Sequence, residues 1–189
     1  MGKLYSHLDP RLCDWIGAQH MFFVATAPLS GDDHVNVSPK GYDSFRILGP
    51  NRVAYLDLGG SGIETQAHIQ ENGRITIMFC AFQGRARILR LYGHGRAVGF
   101  EEPEFTRLRQ HFDLKCRARA VIVVDVERIA DSCGWSVPFM EFQGERDQLL
   151  RSQSIYKTDA QWAAQRYGSN SESIDGLPGL HPPERRAAE

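Results

Sequence analysis

HVNVSPKGYDSFRILGPNRVAYLDL, residues 34–58, holds two strand patterns with a sharp break between them. Val35 and Val37 alternate with Asn36 and Ser38, the period of a strand with one buried face. Pro39, Lys40 and Gly41 then bring a missing N–H donor, a cation and a permissive backbone. FRIL (45–48) and RVAYLDL (52–58) follow, divided by Gly49-Pro50-Asn51, a turn signal that predicts a hairpin. Two readings of the break stay open: an edge strand that simply ends in a turn, or a strand end whose Ser38 and Lys40 face an anion.

Working outward, MFFVATA (21–27) predicts a buried strand, turned by Ser30-Gly31-Asp32-Asp33 into the strand at 34–38. RITIMFCAF (74–82), ARILRLYGHGRAVGF (86–100) and AVIVVDVERIA (120–130) supply the rest. Strands at such short spacing, with few helices between them, predict a mainly β fold with flanking helices. A six- to seven-stranded antiparallel barrel fits better than a parallel α/β sheet. Asp9-Pro10 reads as a cap and first helical residue, with Leu12, Trp15 and Ile16 on one face to about Gln19. Further helices are predicted over 61–72 and 103–112, the latter facing inward with Phe105, Leu108 and Phe112. After Pro138 the composition changes, with helices at 145–156 and 159–167 and a loop-like tail over 173–189. The organisation expected is a barrel domain over 1–144 and a helical arm and tail over 145–189, too small for a core of its own.

The bulk numbers bound the function. The 189 residues suit one good core, and 42% hydrophobic with 24% charged residues is ordinary globular composition. A net charge of −1 argues against a nucleic-acid surface. No window approaches the ~20 apolar residues of a membrane span, and MGKLYSHLDP lacks a signal-peptide core. Cys13, Cys80, Cys116 and Cys133 form no CxxC pair, and Cys80 falls in an apolar strand. Reduced thiols in a cytoplasmic protein are the expectation.

LGGSGIETQAHIQENG (58–73) carries the densest local signal. Ser61 with Glu64 three residues later has the spacing of a capping box, and Asn72-Gly73 supplies a stop. A glycine-flanked helix start offers free N–H groups and the positive dipole end, which suits a phosphate. Most capped helices bind nothing, so a plain strand-to-helix junction is the competing account. If the strands at 34–38 and 52–58 pair through the 45–48 hairpin, Lys40, Ser38 and Ser61 approach one ligand. That set could supply the cation and donors a dianionic phosphate needs.

HVNVSPKGYDSFRIL, then VAYLDLGGSGIETQAHIQENGRITIMFCAF, then RILRLYGHGRAV resembles the pyridoxamine 5′-phosphate oxidase-like family of FMN-binding split β-barrels. DSCGWSVP (131–138) and SIDGLPGL (173–180) resemble later signatures of one bacterial branch. The resemblance spans roughly residues 10–180. It implies a split barrel, a homodimer, and FMN held in clefts shared by both subunits. It assigns Val35, Asn36, Val37, Ser38, Pro39 and Lys40 to the strand lining the isoalloxazine and ending near the phosphate. Leu56 and Asp57 match the next strand's contact pair. Gly60, Ser61, Gly62, Glu64 and Thr65 fall on the phosphate loop, Arg87 and Arg90 on the strand contributed across the dimer, and Trp135 on an aromatic position near the flavin.

The departures narrow this reading. B6 oxidases of the family carry an Arg-Lys pair at the start of the loop helix, where this chain has Glu64-Thr65. Their C-terminal arginine-rich motif is replaced here by SIDGLPGL. The expectation is therefore a flavin protein of the family other than the B6 oxidase. Its function would be an FMN-dependent oxidoreductase for a small molecule, with NAD(P)H as candidate reductant. The competing class is a non-catalytic protein that stores flavin or holds a tetrapyrrole. No catalytic side chain is singled out, since a flavin carries its own electrons. There is no GxGxxG fingerprint for a resident nicotinamide. His94, between two glycines late in a strand, could polarise a substrate or be an exposed hairpin histidine; His20 and His68 have no partners at metal-ligand spacing, and no metal is expected.

Overall fold

The fold is described from a computed structural model covering residues 2–182; the last seven positions of the predicted tail lie outside the described residues. Eight strands and five helices are present among them. In chain order they are β1 (Leu4–Tyr5), α1 (Pro10–Gly17), β2 (Phe22–Thr26), β3 (Asn36–Lys40), β4 (Phe45–Gly49), β5 (Arg52–Asp57) and α2 (Glu64–Asn72). Next come β6 (Arg74–Cys80), β7 (Ile88–Gly99), α3 (Pro103–Arg109), β8 (Ala120–Ser132), α4 (Gln148–Ser154) and α5 (Asp159–Ser169).

All strand pairings are antiparallel, and the sheet runs β3-β2-β6-β7-β8-β5-β4, with β1 added to β8. β3 and β4 therefore stand at opposite ends of the path, yet only residues 41–44 join them. Seven strands laid flat would separate those ends by about 29 Å. A short link reaches little more than half that, at about 3.5 Å per residue. The sheet has to curl until its ends meet without pairing, and the result is a split barrel. The Leu56 N–H donates to the Ser44 carbonyl at 2.9 Å, which carries the β4–β5 ladder one pair beyond Phe45 and Tyr55.

β5 and the first half of β8 read as unbroken apolar runs because both of their faces are covered. Val53, Tyr55, Ile122 and Val124 point into the barrel with Phe22, Ile77, Phe79, Leu89 and Leu91. Ala54, Leu56, Val121 and Val123 point outward beneath Leu108 and Phe112, which follow from α3. The Asp9 carboxylate caps α1 through the Leu12 N–H at 2.8 Å, with Pro10 at the first position, as the sequence indicates.

The structure corrects several expectations. β3 pairs with β2 alone, so strands 34–38 and 52–58 meet across the split and not through a ladder. α3 stops at Arg109, and the remaining residues to Phe112 form a turn. β1 was not expected. It is held from a distance, the Tyr5 hydroxyl donating to Asp131 Oδ2 at 2.6 Å and the Lys3 N–H to Oδ1 at 2.8 Å.

The arm lies against the barrel. Trp162 of α5 is buried edge-on to Phe100, with ring centroids 5.4 Å apart. The Gln153 side chain of α4 bridges two elements: its Oε1 accepts from the Arg117 N–H at 2.9 Å, and its Nε2 donates to the Leu58 carbonyl at 3.1 Å.

Candidate functional site

β3 alternates cleanly. Asn36, Ser38 and Lys40 are half-buried on the core-facing side, while Val37 and Pro39 are exposed on the other. Val35, just before the strand, is also exposed. The inward row is polar because it edges the split. Asn36 Nδ2 donates to Thr65 Oγ1 at 3.0 Å and to Thr26 Oγ1 at 3.3 Å, and Ser38 Oγ donates to Asn36 Oδ1 at 3.1 Å. Thr26 Oγ1 also lies 3.0 Å from Nδ1 of the fully buried His68. The Nε2 of the same imidazole has no partner among the described residues.

The end of β5 is built around a buried ion pair. Asp57 Oδ2 accepts from Arg119 Nε at 3.0 Å and from Gln66 Nε2 at 2.9 Å. Burial alone would push this carboxyl up. The charges of Arg119 and then Lys40, with the hydrogen bonds from Gln66 and Arg119, outweigh it and hold the group at about 2. Lys40 therefore stands within electrostatic reach of β5, across the split. The chain turns there through Gly41 and Tyr42, whose left-handed φ of 59° is uncommon for a residue with a large side chain. The Tyr42 hydroxyl donates to the Arg146 carbonyl, fastening the arm at this corner.

The expected capping box does not form. α2 begins at Glu64, its N-cap is Ile63, and no side chain caps it. Gly59 and Gly62, at φ 71° and 80°, turn the chain twice before the helix, so Ser61 sits too early to reach its first turn. Glu64 faces the tail, accepting from the Ile174 N–H at 3.3 Å.

Three of the loop's carbonyls, those of Gly59, Gly60 and Gly62, are held by side chains from elsewhere in the chain. The Gly62 carbonyl accepts from Arg119 Nη1 at 2.7 Å, and those of Gly59 and Gly60 accept from Arg166 Nη1 at 3.1 and 3.2 Å. Asn170 Nδ2 adds longer contacts to Gly60 and Gly62 at 3.4 and 3.5 Å. In a trans peptide the N–H opposes the carbonyl before it. The N–H groups of Gly60, Ser61 and Ile63 are thus turned the other way, and none donates to an acceptor among the described residues. With the uncapped first turn of α2 they are unpaired donors of the kind an anion takes.

The predicted residues separate into two groups. Asn36 meets Thr65 through a hydrogen bond and Lys40 acts on Asp57 through its charge, while Gly60, Ser61 and Gly62 lie on the loop between Asp57 and Thr65. Leu56 is buried beneath α3. Arg90 pairs across β6 and β2 to Pro39, three strands or about 14 Å away, on the outward face. Its Nη1 donates to Ser132 Oγ at 3.1 Å. Arg87 is committed within its own chain, to the Tyr5 hydroxyl at 2.7 Å and Asp131 at 3.0 Å, with its guanidinium over Trp15. Trp135 is 86% exposed and touches neither group in the contacts described. His94 lies within β7 beside Glu127, at 2.9 Å.

Arg119, Arg166, Asn170, Gln66, Thr26 and His68 were missed by sequence reasoning. Arg119 alone left a signal, a charge directly before the apolar run of β8, opposite the acid ending the apolar run of β5. A cleft of about 1190 Å³ opens at the other end of β3, between Trp15, His20, Lys40, Phe142 and Arg146. It meets the polar row at Pro39 and Lys40 and does not reach the loop. Among the described residues no cluster of His, Cys, Asp and Glu is placed to hold a metal, and no helix is long and apolar enough to cross a membrane.

No family model matches the chain. It is 37% identical over 204 residues to the pyridoxamine 5′-phosphate oxidase family protein ustO of Aspergillus flavus, an alignment covering 96% of this chain and 79% of that one. HupZ of Group A Streptococcus superposes with a TM-score of 0.54 at 23% identity, over 70% of this chain and 98% of that one. A candidate pyridoxamine 5′-phosphate oxidase of Lactobacillus delbrueckii gives 0.52 at 14% identity, over 68% and 97%. The two structures share the fold, and the extent of the Aspergillus match settles descent: the chain belongs to the pyridoxamine 5′-phosphate oxidase family.

Proposed function

We propose that the chain binds FMN along the split of its barrel, as a homodimer, and serves as an oxidoreductase for a small molecule. The observation that carries this reading is the loop from Gly59 to Ile63. Its carbonyls are tied back and its N–H groups left free, beside the polar row of β3, in a member of this family. The residues present fit the group. The N–H groups of Gly60, Ser61 and Ile63, the Ser61 hydroxyl and the start of α2 would receive the phosphate. Lys40 would add the cation, and β3 from Val35 to Lys40 would lie along the ring system. When bound, the flavin supplies the electron transfer. The chain's own residues bind and orient it, and the cleft beside Lys40 gives a substrate room.

The dimer is supported by the outward face of the sheet. The register sets Val37, Ala25, Thr76 and Tyr92 in one row and Pro39, Phe23, Met78 and Arg90 in the next. Val37 is 61% exposed on this face, and Trp135 and Phe139, in the segment after β8, are 86% and 85% exposed. Large apolar side chains left in solvent mark an association surface. Association there would carry Arg90 toward the flavin of the other subunit.

Titration of the purified protein with FMN tests the binding. Stoichiometric uptake is expected, with FAD binding more weakly because the loop receives a terminal phosphate. A protein that stays colourless and gives no heat with FMN refutes the reading. Oxidation of NAD(P)H by the loaded protein tests the oxidoreductase step.

A further inference from the structure

We infer that Arg166 and Asn170 of the C-terminal arm are positioning residues for the flavin phosphate. They act through the loop's peptide groups and never touch the ligand. The inference rests on the flavin reading above.

Three facts converge on it. First, the arm contacts carbonyl oxygens on three peptides of one short loop, those of Gly59, Gly60 and Gly62. Left to themselves, such flexible glycine peptides are free to rotate, and a reversed peptide would present its carbonyl to an anion. Fixing the carbonyl fixes the opposed N–H. Second, Arg166 occupies a costly place. Its Nε is buried with no partner, and none of the ion pairs among the described residues includes it. Its contacts to the loop are what the structure shows in return, and they set a positive charge directly behind the donors. Third, the tail holds Asn170 in register. The Leu180 N–H donates to the Asn170 carbonyl at 2.7 Å and the Gly179 N–H to the Ser171 carbonyl at 2.8 Å. A Cβ on Gly179 would fall 2.4 Å from the Asn170 oxygen and 2.8 Å from Ile63, so the chain approaches the loop closely enough to demand glycine. The GLPGL stretch thereby gains a physical role: it packs the arm onto the residue that opens α2.

The start of α2 holds Glu64 and Thr65 and brings no cation of its own; positive charge reaches the loop from behind, from Arg166, while that of Arg119 is matched by Asp57.

The test compares FMN with riboflavin, which lacks the phosphate, in binding titrations of full-length protein. Arg166→Ala is expected to weaken FMN by about tenfold or more while riboflavin changes by less than about twofold. Arg166→Lys keeps the charge and one donor and should fall between wild type and Arg166→Ala. Equal losses for both flavins in both variants would make the arm a structural support only and overturn the inference. So would an unchanged FMN affinity. A wild-type protein with no preference for FMN over riboflavin would remove the phosphate reading itself, and this inference with it.

Discussion

Replacing Asp57 with asparagine keeps the side chain's shape and removes its charge, leaving Arg119 buried without a counterion. The two side chains are 4% and 5% exposed, so solvent screens little of the loss. The carboxyl titrates at about 2 in the folded chain against 3.8 without it. That gap corresponds to about 2 kcal/mol, and breaking a buried pair outright costs about 3–5 kcal/mol. Because the folded value lies below the unfolded one, the stabilisation is complete above pH 3.8 and is lost as pH falls through about 2. Urea unfolding of wild type and Asp57→Asn at pH 6 should therefore differ by about 2–5 kcal/mol, and the difference should close as the pH is lowered toward 2. The variant should also bind FMN more weakly, since Arg119 loses the carboxylate that aims it at the Gly62 carbonyl. A gap below about 1 kcal/mol at pH 6, the size of an exposed pair, would refute the reasoning. A gap of the same size at low pH would do so too.

Lys40→Ala should weaken FMN by about 1.5–3 kcal/mol and leave riboflavin nearly unchanged; equal losses would mean that Lys40 acts through the fold. Val37→Glu places a charge on the outward apolar face and should shift the protein to monomers in sedimentation at micromolar concentration, with flavin affinity falling alongside. An unaltered dimer would place the interface elsewhere. His34 is raised above 6.5 by its hydrogen bond to Asp175 and that carboxylate's charge, so the stabilisation its ring adds to this link to the tail is full below 6.5 and is lost as pH rises through the elevated value, while the bond from its backbone N–H stays. In Asp175→Asn the His34 ring protons, followed by NMR, should titrate at a lower pH than in wild type; an unmoved midpoint would show that the contact does not form in solution.

The barrel was legible because its signals are local. The 21–38 and 45–58 hairpins lie between turn residues, and the apolar runs of β5 and β8 announce strands buried on both faces. β1 was illegible for the converse reason. Two residues make no periodic pattern, and what fixes them is the Asp131 carboxylate 126 and more positions away.

The candidate site divides along the same line. The alternation of β3 was legible but not its inner face: Val35 and Val37, the apolar half of the pattern, are exposed, and the half-buried row is Asn36, Ser38 and Lys40, which edges the split. The capping box failed where a short motif met backbone geometry. Ser61 and Glu64 have the right spacing, but the left-handed turn at Gly62 delays the helix until Glu64 itself is the first residue. The groups that orient the loop come from 57 to 110 positions away along the chain, in Arg119, Arg166 and Asn170. No window contains both partners, and an arginine late in an amphipathic helix reads as a solvated surface charge. Only the fold can show that this arginine points inward, at carbonyls whose opposed N–H groups are left without an acceptor among the described residues. A loop of glycines has no side chains with which to organise itself. Its conformation has to be imposed from outside, and in this chain the arm, too short for a core of its own, imposes it together with Arg119.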